Sequence, residues 1–436
     1  MFKNFINKIR KIFPYLCLSL ISGVVSALLI ISFKFTTNTV IKLSTNLYNT
    51  VRSNPLFFPI LIIASGIIGL ASSYILSICQ SCRGGGIPTS IAAIRGIITF
   101  KWYISILVLP ISALLTFFCG VPLGTEGPCV QIGTAIGDGV VKCFGGKKHL
   151  GWRRYLMTGG ATAGFSIATT SPITSIIFSI EELHKRFSPI LLIGASLSVT
   201  SAHITVKTLS LVGINTDKLF NISLIESLPI KSFYIPLIVG IVCGISAILF
   251  TKLYHFINKL VNLLLNKLSI KIIFPVLFMC TSVVGFFLID TLGTGHTLVD
   301  KLLSTRSVWY VLVLLFLVRA VIMMLANTSG VTGGIFLPTL AFGAILGSIC
   351  ANVAIYFNII DPKYYPLIVI FGISSFLGAT SRIPITACVF AIEALGCINN
   401  IFPIIISTTI AFLVIKLSGL EDLTDTVINA KRIHND

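Results

Sequence analysis

The chain has 436 residues, of which 55% are hydrophobic and 11% charged, with a mean hydropathy of +0.99. Soluble domains carry about 25% charged residues, so this composition excludes a water-soluble enzyme or binding module and defines an integral membrane protein. The net charge of +18 does not indicate nucleic-acid binding: the basic residues form short clusters between apolar runs (Lys3, Lys8, Arg10, Lys11; Lys147, Lys148, Arg153, Arg154), with no soluble domain to carry a binding face. Positive-inside bias accounts for such clusters and predicts a cytoplasmic N-terminus. A basic pore mouth that concentrates anions is a secondary reading.

Apolar runs near 14–34, 57–79, 101–120, 233–252, 271–290, 308–326 and 401–418 each approach the ~20 residues of a bilayer span. The first run follows a basic stretch but is long and lacks a small-x-small cleavage site, so it is expected to be a retained helix, not a signal peptide. Shorter, glycine-broken stretches elsewhere suggest helices that stop inside the membrane. The 11 cysteines are scattered and predict no disulfide framework. Cys79 and Cys82 form a CxxC without the second pair or nearby histidine that a zinc site requires. The ExxH spacing of Glu181 and His184 lacks the further carboxylates of a di-iron centre. No nucleophile–base constellation appears, so no enzyme activity, metal or cofactor is expected.

The chain carries an internal repeat. Residues 172–183, PITSIIFSIEEL, match residues 384–395, PITACVFAIEAL, at most positions without a gap, an offset of 212. Gly133 and Gly137 match Gly343 and Gly347 at an offset of 210, which sets Glu126 opposite Phe336. Two related halves with interrupted helices are the signature of a pseudo-symmetric transporter whose site lies at the repeat interface. The halves are expected at about 14–210 and 233–420 of a single domain spanning 1–436, joined near 212–232 and followed by a short cytoplasmic tail, 419–436, with no regulatory domain.

Three segments place glycines before a helix start with proline near its first turn: Gly84-Gly85-Gly86-Ile87-Pro88, Gly124-Thr125-Glu126-Gly127-Pro128 and Gly333-Gly334-Ile335-Phe336-Leu337-Pro338. Proline fits a first helical turn because its missing N–H would be unpaired there. Glycine lets a ligand approach the backbone, and the N–H groups and dipole of a helix N-terminus favour an anion. Glu126 stands out because only 14 residues are acidic and an intramembrane carboxylate marks an ion or proton pathway. Glycines of this kind also serve close helix packing, but three such starts, one bearing a glutamate, point to an anion site.

These motifs, written GxGIP, GxEGP and GGIFxP, together with the doubled Glu181-Glu182 and the internal repeat, resemble the CLC chloride channels and chloride/proton antiporters over about residues 15–420. The resemblance implies an all-α polytopic membrane protein, an inverted-repeat bundle of full and broken tilted helices, assembled as a homodimer with one pore per subunit. It implies that Glu126 is the gating glutamate, a tethered competitor for the anion site that protonation displaces. Glu182 matches the internal proton-transfer glutamate. Glu181 has a repeat counterpart in Glu393 whereas Glu182 faces Ala394, so Glu181 and Glu393 are read as architectural. Anion contacts are expected from the backbone N–H groups and glycine loops at Gly85, Gly86, Ile87, Gly124, Gly127, Gly334, Ile335 and Phe336.

Two positions depart from the family pattern. Gly85 stands where the family has a chloride-coordinating serine, and Ile398, aligned from Glu393 and Pro403, falls at the inner-gate tyrosine. A hydrogen bond to an ion is worth roughly 1.5–3 kcal/mol, so loss of two hydroxyls weakens the central site and loosens coupling. The function expected from the resemblance is chloride/proton antiport. The alternatives are a passive chloride channel and transport of another anion, nitrate or fluoride. The expected setting is the bilayer of a bacterial inner membrane, with chloride and protons as the partners.

Overall fold

The computed structural model describes residues 2–99, 101–145, 151–214, 219–220 and 225–433; of the basic clusters, Lys147 and Lys148 lie outside them. The first half contains α1 (Phe2–Ser53), α2 (Phe58–Ile78), α3 (Ile87–Ile94), α4 (Trp102–Phe118), α5 (Glu126–Val140), α6 (Arg153–Thr169), α7 (Pro172–Phe178) and α8 (Pro189–Leu211). The second contains α9 (Tyr234–Leu265), α10 (Ile270–Phe287), α11 (His296–Ser304), α12 (Trp309–Ser329), α13 (Phe336–Tyr356), α14 (Tyr365–Thr380), α15 (Pro384–Glu393) and α16 (Ile401–Leu417), and α17 (Leu423–Ile433) follows. Among the described residues there is no strand, and eight helices are long and apolar enough to cross a membrane. The protein is an integral, multi-pass, all-helical membrane protein.

Two of those eight, α8 and α13, were expected only as shorter glycine-broken stretches. Their small residues lower hydropathy without breaking the helix. The first run also continues well past the stretch expected: α1 has 52 residues, roughly 78 Å at 1.5 Å per residue, against a hydrocarbon core of about 30 Å. It must therefore tilt or extend beyond the core.

The helices sort into an inner and an outer set. Every residue of α5 is buried, α6 and α14 are nearly so, and the first three turns and more of α13 are buried too. Outer helices present large side chains to the surroundings, among them Ile63, Leu107, Phe256 and Leu317, each more than half exposed. In water such a surface would be a liability; facing acyl chains it is the ordinary finish. Inside, glycine lets backbones touch. A methyl on Gly133 would strike the Gly160 carbonyl and one on Gly343 the Gly372 carbonyl, so α5 packs on α6 as α13 packs on α14. The two repeat-matched glycine pairs thus hold equivalent helix pairs in the two halves.

The halves clasp each other reciprocally. α7 and α15 are short helices whose N-termini face the opposite half. The Glu393 carboxylate accepts from Ile173 N at 2.9 Å, Thr174 N at 2.7 Å and the Thr174 hydroxyl at 2.7 Å. Glu181 accepts from Ile385 N at 3.0 Å, Thr386 N at 2.7 Å and the Thr386 hydroxyl at 2.7 Å. Each carboxylate satisfies N–H groups that a helix start leaves unpaired and also complements the helix dipole. These contacts match the architectural role read for both residues.

Replacing Glu181 or Glu393 by Gln halves the acceptor capacity and removes the charge. Each change is expected to lower stability by about 1–3 kcal/mol, read as a fall in thermal midpoint in detergent, with the double variant falling further.

Candidate functional site

The three glycine–proline segments meet at the middle of the molecule. Gly124 and Gly334 exchange backbone hydrogen bonds, N to O at 2.6 Å and 2.7 Å, forming an isolated antiparallel bridge between the starts of α5 and α13. Gly84 donates to Gly330 O at 3.0 Å and accepts from Gly333 N at 3.4 Å, which ties the α3 loop to the same segment of the second half. Gly86 adopts φ +75°, open to glycine, and any side chain there would strike the Gly127 carbonyl. A Cβ on Gly127 would collide with the Gly85 carbonyl. Backbones of both halves therefore interlock.

This interlock corrects part of the expected anion-binding set. The N–H groups of Gly124 and Gly334 are spent on each other, and Ile87 N donates to Gly85 O at 2.9 Å. A membrane interior offers no water to satisfy them otherwise. Ile335 and Phe336, at the first turn of α13, keep N–H groups without intrahelical partners.

A cavity of about 30 Å³ lies beside these starts, roomy enough for a water molecule or a small ion. Gly85, Ile87, Ile335, Phe336 and Glu182 all line it. Phe336 is 3% exposed and wedged edge-on between Phe165 and Phe390, at 5.0 and 5.5 Å between centroids.

Glu126 opens α5 and is fully buried; its Oε1 accepts from the Thr125 hydroxyl at 3.3 Å, and its Oε2 has no hydrogen-bond partner among the described residues. The carboxylate folds back against Gly124, with Leu337 alongside. Thr125 and Leu337 line a second, much larger cavity of about 620 Å³, whose wall also carries Lys34, Lys42, His296 and Lys301. In sequence Glu126 lies between Thr125, on the wall of the broad cavity, and Gly127, whose backbone packs against Gly85 of the small one.

Glu182 lies where α7 widens into a π-type turn, Ser179–His184. It is 2% exposed, and its Oε2 also lacks a hydrogen-bond partner among the described residues. Such widened turns recur at functional sites.

One expectation fails here. Ile398 is 63% exposed at a short 3₁₀ turn and does not line the small cavity. The chain turns away after α15 at Gly396, φ +68°, and residues that follow α16, Leu423 and Thr424 of α17, line the cavity instead. The tail is accordingly part of the site. Lys185 bonds Asp422 at 3.3 Å and Asp425 at 2.8 Å, Arg95 approaches Asp425 at 3.7 Å, and Arg382 donates to Leu420 O at 2.9 Å. Burial raises the Asp422 carboxyl above its ordinary value against the opposing pull of Lys185.

Asn327 was also missed: it lies in a hydrophobic helix without a motif. Cys79 and Cys82 are buried with their sulfurs 2.9 Å apart, and no cluster of three metal-ligating side chains occurs among the described residues.

Fold and site together define a broken-helix membrane bundle with a small cavity at converging helix starts and two buried carboxylates, Glu126 and Glu182. A profile of the family described as voltage gated chloride channel matches residues 68–416. The chain belongs to that family. Its fold is similar to that of a slow cyanobacterial Cl⁻/H⁺ antiporter, with a TM-score of 0.85 and 22% identity over 96% of this chain and 98% of that one. A eukaryotic CLC transporter gives 0.78 and 17% identity over 97% and 74%. A CLC-type fluoride/proton antiporter gives 0.76 and 20% identity over 93% and 96%.

Gly127→Ala places a methyl against the Gly85 carbonyl and Gly334. We expect severe loss of ion flux in proteoliposomes, whereas Gly96→Ala, where the added Cβ meets nothing within 4 Å, costs only local backbone strain and keeps most of the flux.

Proposed function

We propose that the chain is a transmembrane anion transporter that exchanges chloride for protons. The observation that carries this reading is the small cavity at converging helix starts, with buried Glu126 toward the broad vestibule and buried Glu182 on its own wall. Helix N-termini attract an anion without a full positive charge, which keeps binding weak enough for passage. Family membership supports anion transport, and a transport pathway accounts for these residues without catalysis.

In this reading Glu126 competes with the anion. Ionised, its carboxylate takes the position favoured by the helix start; protonated, it loses that claim and swings toward the vestibule. Glu182, whose Oε2 is unpartnered, exchanges protons with the inner side, so protons and chloride share the middle of the pathway and separate at its inner end. The protein acts as a homodimer with one pathway per subunit, in a bacterial inner membrane with a cytoplasmic N-terminus, and needs no cofactor or metal.

One observation favours a passive channel instead. Gly85 contributes no side chain to the small cavity. Proteoliposomes with voltage clamped by an ionophore, read by a chloride electrode and a pH electrode together, separate the two. Wild-type protein is expected to drive protons against their gradient when chloride runs down its own. Glu182→Gln should abolish proton movement and keep chloride flux, and Glu126→Gln should make chloride flux insensitive to pH and uncoupled. Chloride flux without protons in the wild type, unchanged by Glu182→Gln, would make this a channel. Competition with nitrate and fluoride in the same assay tests the choice of chloride.

A further inference from the structure

The small cavity holds a polar side chain that neither the motifs nor the repeat singled out. Asn327 sits near the end of α12, and its Oδ1 accepts from the Tyr254 hydroxyl of α9 at 2.8 Å. Tyr254 is 1% exposed, and this is its hydroxyl's one hydrogen bond among the described residues. A buried phenol needs an acceptor for its proton, and only the amide oxygen supplies one. That requirement fixes the amide: oxygen to Tyr254, nitrogen away from it.

The nitrogen is turned toward Gly85. A Cβ built on Gly85 would lie 3.3 Å from Asn327 Nδ2, so the amide occupies the space that a side chain at residue 85 would fill. Asn327 and Gly85 both line the cavity of about 30 Å³, together with Ile335, Phe336 and Glu182. None of the hydrogen bonds among the described residues uses Nδ2. Its two N–H groups therefore face a space that has helix N-termini on another wall and no Lys or Arg in its lining.

We infer that Asn327 is an anion ligand, donating an Nδ2–H bond to a halide-sized anion in this cavity, with Tyr254 as the positioning residue that holds the amide. The inference rests on the anion-transport reading above and names a donor for it. An amide is well matched to this role, because it donates like a backbone N–H and carries no net charge that would trap the ion. It is also locked in place, so little rotamer entropy is lost on binding.

The test is calorimetric titration of sodium chloride into purified full-length protein in detergent. Asn327→Ala is expected to weaken chloride binding roughly tenfold or more, the worth of one hydrogen bond to an ion. Tyr254→Phe, which frees the amide to rotate, should weaken it less. Gly85→Ser in the Asn327→Ala background, where the space is open, should recover most of the loss by supplying a hydroxyl. Unchanged affinity in Asn327→Ala overturns the inference while leaving the transport reading intact. Absence of both chloride binding and chloride flux in the wild type overturns the transport reading itself, and this inference with it. Should Asn327→Ala not fold, crystals of the wild type soaked in bromide decide. An anomalous peak within hydrogen-bond reach of Nδ2 is the expected result, and a central peak out of its reach is the contrary one.

Discussion

A bilayer interior has no water to satisfy a backbone N–H, and that constraint governs this structure. A chain that stops its helices in mid-membrane exposes helix starts where they cannot be left bare. The structure meets the problem in two ways. Glu181 and Glu393 each cap a helix start of the opposite half, making the requirement reciprocal between the repeats. Gly124 and Gly334 pair their backbones directly, and a side chain on either would strike its neighbours, the Glu126 carboxylate and Leu337 at Gly124 and the Gly127 backbone at Gly334. The N–H groups left over, at Ile335 and Phe336, border the small cavity. Binding capacity is what remains after the fold has satisfied itself.

The same constraint links packing to function. Glycine contacts bring α5 onto α6 and α13 onto α14 so closely that a single methyl would collide with a carbonyl. Close backbones bring helix starts from both halves to one place, and the reciprocal carboxylates hold the halves in register. No surface salt bridge has comparable leverage. The contacts of Asp425 with Lys185 and Arg95 involve side chains about a third or more exposed, where such pairs contribute about 0–1 kcal/mol. They steer the start of α17 toward the cavity more than they stabilise it.

Much of this was legible in the sequence because it is written in residues with few alternative uses. Composition defined a membrane protein. Glycine–proline starts marked the broken helices, and the repeat separated Glu181, matched by Glu393, from Glu182. The illegible parts share one cause: they depend on contacts between segments far apart in sequence. That Gly124 and Gly334 consume each other's N–H groups follows from pairing across the two halves. Ile398 was placed by counting along a chain that turns away at Gly396, while the cavity wall is completed by α17. Asn327 lies in an apolar helix with no motif, and only its proximity to Gly85 and Tyr254 gives it meaning.

The distribution of charge along the pathway follows one physical logic. No lysine or arginine lines the small cavity, yet Lys34, Lys42 and Lys301 line the broad vestibule, and Arg95, Lys185 and Arg382 gather around the start of α17. Of these, Lys185 and Arg95 pair with Asp422 and Asp425, and Lys301 pairs with Asp290 of the same vestibule wall; inside, where the dielectric is low, a full charge would hold an ion too tightly to release it. In the proposed site, partial charges from helix starts and the Asn327 amide take the place of water around a halide. Against such modest donors a carboxylate on a tether is an effective competitor, because its own negative charge sees the same dipoles at far higher effective concentration. Adding a proton to that carboxylate removes the competition at once. On the proposed reading, the weakness of a central site built from partial charges is what lets a single proton on Glu126 decide whether an anion occupies it.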